Sequence, residues 1–70
     1  MLHNTTLHRV RAARARAGLT QLQLALRTRL SLSTLRNAER GLFTTATISA
    51  IARALGVSVD ELIGRKAGAP

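Results

Sequence analysis

The chain has 70 residues, enough for one domain, and a domain of this size buries only about 60% of its unfolded surface, so pairing of subunits is a natural source of further stability. Eleven Lys and Arg against three acids (Glu39, Asp60 and Glu61) leave a formal charge of +8, which points to a polyanionic partner. The absence of cysteine excludes disulfides and thiolate metal sites and fits a reducing cytoplasm, and no uninterrupted apolar run reaches the roughly eighteen residues that a membrane span needs.

Ten of the eleven cations are arginine, whose planar fork suits phosphates and guanine edges. No N-terminal segment joins a basic start to an apolar stretch and a small-residue cleavage site, so nucleic acid is favoured over a membrane. With Phe43 as the single aromatic, the core must be built from Leu, Ile, Val and Ala, and the abundance of Ala favours helices. His3 and His8 are five residues apart, off the spacing that would put both on one helix face, so no metal site is expected.

The first helix is predicted from about Asn4 or Thr5 to Ala17, with Leu7, Val10, Arg14 and Ala17 on one face. Arg14 is the odd member of that stripe. Arg9, Arg11 and Arg16 read first as a solvated face, although Arg9 and Arg16, two turns apart, also add long-range attraction for a polyanion. Gly18 can end this helix.

The second helix is predicted over about 20–28, opened by Thr20, whose hydroxyl can accept the Gln23 amide while the Gln23 side chain reaches back. It turns Leu24 and Ala25 inward and leaves Leu22 and Leu26 outside. The third is predicted over about 32–40, capped by Ser31 and stopped by Gly41, with Leu35 and Ala38 inward. Only Arg29 and Leu30 separate the two. A link that short makes the helices cross steeply, the layout that lets a second helix enter a DNA major groove while the first spans the backbone.

A turn over Gly41 to Thr44 leads to a fourth helix, which starts behind Thr44 or Thr45 and runs to Leu55 with Ile48, Ile51, Ala52 and Leu55 inward; Gly56 ends it. The fifth is short, capped by Ser58 with Glu61 completing a second capping box, and contributes Leu62 and Ile63. The domain then spans 1–63 and a mobile tail 64–70. The predicted architecture is all-α, a compact five-helix bundle whose second and third helices form a helix-turn-helix.

Gly18-Leu19-Thr20-Gln21 followed by Leu24-Ala25, then Ser31, then Glu39-Arg40-Gly41, and finally the run from Ile51 to Leu62, resemble in order and spacing the Cro and phage-repressor type of helix-turn-helix domain, the XRE-like family, over about residues 6–63. That resemblance implies a lambda-repressor-like fold and sequence-specific binding of double-stranded DNA. Residue by residue it implies that Gln21 bonds a DNA phosphate, and that Leu32, Ser33, Arg36 and Asn37 stand where side chains reach base edges. Arg36 can bind guanine O6 and N7, Asn37 adenine N6 and N7, Ser33 either, and Leu32 a thymine methyl. Ser31 caps and touches backbone. The resemblance further implies an ion pair between Arg14 and Glu39, which accounts for Arg14 on an apolar face, and a dimer through the C-terminal apolar surface of Leu55, Val57, Val59 and Leu62.

Three features depart from the family pattern. Arg29 stands where relatives carry Gly, because the turn needs a positive φ. The loop Leu42-Phe43-Thr44-Thr45 lacks the usual cations, so that phosphate contacts fall to Arg27, Arg29, Arg36, Arg40 and the first helix, with Thr44 and Thr45 as further candidates. Leu22 and Leu26 replace polar residues and suggest, with Phe43, a protein contact. The leading expectation is a small cytoplasmic regulator of a prokaryote or phage, most simply a repressor acting as a homodimer at a pseudo-palindromic operator and needing no cofactor. The alternative is an antitoxin or accessory interaction module on the same fold. An enzyme is not expected: there is no Cys, no phosphate-cradling Gly loop and little volume for a pocket.

Overall fold

Four helices in this chain begin behind a hydroxyl residue whose side chain accepts the amide three residues on. Thr20 takes Gln23 N–H at 3.0 Å, Ser31 takes Thr34 N–H at 3.0 Å, Thr44 takes Thr47 N–H at 3.1 Å and Ser58 takes Glu61 N–H at 3.0 Å. Each cap removes one orphan amide and is worth about 1 kcal/mol. The computed structural model describes the backbone over residues 5–64 and side chains over 9–64. Among these residues the elements are α1 (Thr5–Arg16), α2 (Gln21–Thr28), α3 (Leu32–Glu39), α4 (Thr45–Leu55) and α5 (Val59–Ile63), with no strand.

The helices end by a second repeated device. Two or three residues past the ends of α1, α2, α3 and α4 an amide reaches back five residues and closes a wide turn: Leu19 to Arg14, Leu30 to Ala25, Leu42 to Asn37 and Val57 to Ala52. Such a closure needs a left-handed residue just before it. Glycine supplies it at Gly18, Gly41 and Gly56, whereas Arg29 supplies it with φ 61°. Leu19, Leu30 and Val57 then pack onto the core, while Leu42 remains 60% exposed.

The core is one cluster drawn from all five helices: Val10 and Ala13, Leu24 and Ala25, Leu35 and Ala38, Ile48, Ile51 and Ala52, and Leu62. α1 packs on α3 and α5, and α2 packs on α3 and α4, so α3 is held between the first two helices. The inward faces predicted for the second, third and fourth helices are those buried, with Leu55 half-buried at the edge. The first helix differs. It ends at Arg16, Ala17 is exposed although its amide still donates to the Ala13 carbonyl at 3.1 Å, and Ala13 takes the inner place.

Two further expectations need correction. Ser58 caps α5, but no reciprocal bond from the Glu61 side chain accompanies it; that carboxylate instead meets Arg16 at 3.5 Å. Leu62, expected at a dimer surface, is fully buried in the protomer core and has no area left to offer a second subunit. The start of the first helix at Asn4, the side chains of Leu7 and His8, His3, and the tail beyond Gly64 lie outside the described residues.

Arg29 carries a side chain in a backbone region that costs a non-glycine residue about 1–2 kcal/mol, part of which glycine would return through its greater freedom when unfolded. Arg29→Gly is expected to raise stability by about 0.5–1 kcal/mol, a few degrees in melting temperature for a domain this small, whereas Arg29→Ala gives no such gain. Thermal denaturation of the two variants beside wild type checks this, and an unchanged or lower melting point for the glycine variant contradicts it.

Candidate nucleic-acid interface

The turn between α2 and α3 is tied by few groups. The Ala25 carbonyl accepts from the Arg29 amide, from Leu30 N–H at 3.2 Å and from the Thr28 hydroxyl at 3.1 Å. The Thr28 hydroxyl also donates to the Leu24 carbonyl at 2.9 Å and accepts from Leu30 N–H at 3.3 Å. With Leu30 packed on the core, this short joint fixes where α3 begins.

α3 is oriented by its two buried residues. Leu35 and Ala38 have no exposed surface, so the opposite side of this eight-residue helix must face solvent. It presents Ser33, Arg36 and Asn37 as exposed side chains, and Leu32 half-buried against the core at the inner border. Arg27, Arg29 and Arg40 are exposed nearby in sequence, at the end of α2, in the joint and just after α3. Ser31 is fully engaged locally: besides its cap it donates to Thr34 Oγ1 at 2.8 Å. Thr44 caps α4 and is exposed.

Behind this surface lies a network on one carboxylate. Arg14 Nε donates to Glu39 Oε2 at 2.6 Å and Arg14 Nη2 to Glu39 Oε1 at 3.3 Å, while Arg14 Nη1 donates to the Leu19 carbonyl at 2.9 Å. Gln21 Nε2 adds a bond to Glu39 Oε1 at 3.0 Å. The side chains of Arg14 and Glu39 are only 15% and 8% exposed, so the pair is shielded and its hydrogen bonds satisfy both groups. The Gln21 bond had no signal in the sequence beyond a shared neighbourhood, since its partner is eighteen residues away. The amide's second N–H has no partner among the described residues.

Electrostatically, Glu39 is neutralised by Arg14, and Asp60 and Glu61 lie on α5, on the other side of α1. The Glu61 carboxylate is met there by Arg16, and its carbonyl by Arg9 Nη1 at 3.2 Å. No exposed carboxylate among the described residues therefore belongs to α2, α3 or their joint. The resulting face is arginine-rich and open, suited to an extended polyanion and unsuited to enclosing a small substrate.

Other predicted residues fall elsewhere. Leu22 and Leu26 are 58% and 71% exposed on the outer side of α2, whereas Phe43 is half-buried against the core and offers little to a partner. Leu55, Val57 and Val59 are half-buried and pack partly on the core. No helix among the described residues is long and apolar enough to cross a membrane, and none of the described His, Asp or Glu residues cluster as metal ligands.

A family model described as helix-turn-helix matches residues 10–62. No curated protein and no solved structure matches the chain.

Removing Arg14 strands a shielded carboxylate and one backbone carbonyl. Arg14→Met is expected to cost about 3 kcal/mol, a drop of roughly 10 °C or more in melting temperature, whereas Arg16→Met, which loses only an exposed pair, should stay within about 1 kcal/mol of wild type. Equal losses in the two variants, read by thermal or urea denaturation, contradict the role given to the network.

Proposed function

The chain belongs to the XRE-like helix-turn-helix family, whose members are DNA-binding transcriptional regulators rather than enzymes, and from that membership we propose that it reads double-stranded DNA with α3 and acts as a small repressor at a pseudo-palindromic operator. The observation that carries this reading is the exposure of Arg36 and Asn37 on a helix whose own carboxylate is locked away beneath it. Polar side chains held outward on a rigid element, beside unopposed arginines, have the chemistry of base readout.

In this reading Arg36 donates two bonds to a guanine, Asn37 pairs with an adenine edge, Ser33 makes an adaptable contact and Leu32 packs on a thymine methyl. Gln21 places its remaining N–H on a phosphate at the start of α2, where the helix dipole also favours an anion. Arg27, Arg29, Arg40, Thr44 and the backbone near Ser31 add sequence-independent contacts. Two protomers bind together, their recognition helices about 34 Å apart, through a surface that includes Leu55, Val57 and Val59 but not Leu62. Repression follows from occupancy of the operator. No cofactor enters.

A second reading, an antitoxin or accessory module that docks another protein, rests on the exposure of Leu22 and Leu26. It differs from the first in needing no preferred DNA sequence.

Selection of bound sequences from random double-stranded DNA, run with wild type and with Arg36→Ala, separates the two. The proposed function predicts a motif with two-fold symmetry for wild type and loss of preference at one base-pair position per half-site for the variant, equivalent to about 1–3 kcal/mol there. Failure of wild type to enrich any motif overturns base readout and leaves the docking reading.

A further inference from the structure

The four arginines of α1 described with side chains do not form one face. Arg9 and Arg16 flank a groove of about 400 Å³ between α1 and α5, where both meet Glu61. Arg14 points at α3 and is consumed by Glu39. Arg11 remains. It is exposed, has no hydrogen bond or ion pair among the described residues, and lies three residues before Arg14, on the neighbouring side of the helix that faces α2 and α3.

There it lines a second cleft, of about 590 Å³, together with Gln21, Leu22, Leu32, Arg36 and the shielded Glu39. This cleft joins the start of α2 to the outward side of α3. Its charge is positive, because Arg14 already offsets Glu39 and the other two arginines have no counter-charge in it. Its position is fixed as well. Arg14 ties α1 both to Glu39 on α3 and to the Leu19 carbonyl in the turn before α2, so Arg11 is held at a set distance from Gln21 and Arg36 although its own side chain is free.

We infer that Arg11 is a phosphodiester-binding residue: it holds the DNA backbone in the cleft between α1 and the start of α2 while Arg36, on the far wall, reaches the bases. This rests on the DNA-binding reading above. Arg11 is then a positioning residue for readout. It carries no sequence information of its own, since a long cation in a cleft facing the duplex edge meets phosphates that are alike in every sequence. It also explains how a chain whose Leu42-Phe43-Thr44-Thr45 loop is uncharged recovers an ionic contact, which α1 supplies in its place.

The test is the salt dependence of binding to the selected site and to a scrambled duplex, for wild type, Arg11→Gln and Arg9→Gln. Arg9 lies about 200° around the helix from Arg11, toward α5, and serves as the control for charge alone. Both substitutions replace exposed residues by a good helix former, and thermal melts confirm that the proteins compared are folded. The expected result is a slope of log affinity against log salt that falls by about 1 in Arg11→Gln, equally on both duplexes, and is unchanged in Arg9→Gln. Wild-type binding with the same slope in both variants overturns the inference alone, as does a loss in Arg11→Gln confined to the selected site. Wild type with no salt-dependent binding to either duplex overturns the DNA-binding reading and this inference with it.

Discussion

One carboxylate orders the half of this molecule built from α1, α2 and α3. Glu39 receives bonds from Arg14 on α1 and Gln21 on α2, and Arg14 adds a bond to the carbonyl of Leu19 in the turn between them. Three helices and a turn are thereby fixed to one another by part-buried groups. A partly buried ion pair is weak evidence for net stability, because desolvation offsets much of the attraction, but it is strict about geometry: any displacement of α3 strands a charge. The same network removes the negative charge of Glu39 from the surface that α3 presents. Its structural and electrostatic consequences cannot be separated.

That strictness matters because the elements it joins are short. α2 and α3 have eight residues each, below the length at which an isolated helix persists in water. They exist through their caps and their contacts. Thr20 and Ser31 start them, the Ala25 carbonyl and the Thr28 hydroxyl stitch the joint, and Leu24, Ala25, Leu35 and Ala38 bury one side of each. Arg29 is the exception to the glycine rule followed at Gly18, Gly41 and Gly56. A side chain that keeps a left-handed conformation at the joint between α2 and α3 leaves an exposed cation there at some cost in strain.

The sequence made the fold legible where chemistry is local. Among the described residues, hydroxyl caps, glycine stops and apolar spacing located the end of α1 and both ends of α2, α3 and α4 to within about one residue of their observed places. Legibility failed where the outcome depended on groups far apart in the chain. Ala13, not Ala17, completes the inner face of α1: Ala17 lies just past the last helical residue and is exposed. Leu62 belongs to the core because α1 covers α5, a long-range packing that apolar character alone cannot announce. Glu61 faces two arginines more than forty residues earlier, and its half of the expected capping box is forgone. In the candidate site, the exposure of Arg36 and Asn37 followed from Leu35 and Ala38 facing inward, whereas the bond of Gln21 to Glu39 and the free state of Arg11 needed the folded arrangement of three helices.

The central claim, that Arg14 and Glu39 act as one geometric unit holding α1 and α3 together, is tested most directly by a double-mutant cycle with Arg14→Met, Glu39→Met and the pair. Urea denaturation should show each single variant strongly destabilised and the double variant losing much less than the sum, with a coupling of about 2 kcal/mol or more, because two apolar side chains leave no stranded charge. Losses that add within about 0.5 kcal/mol would mean the two residues act independently, and the network would not be what positions α3.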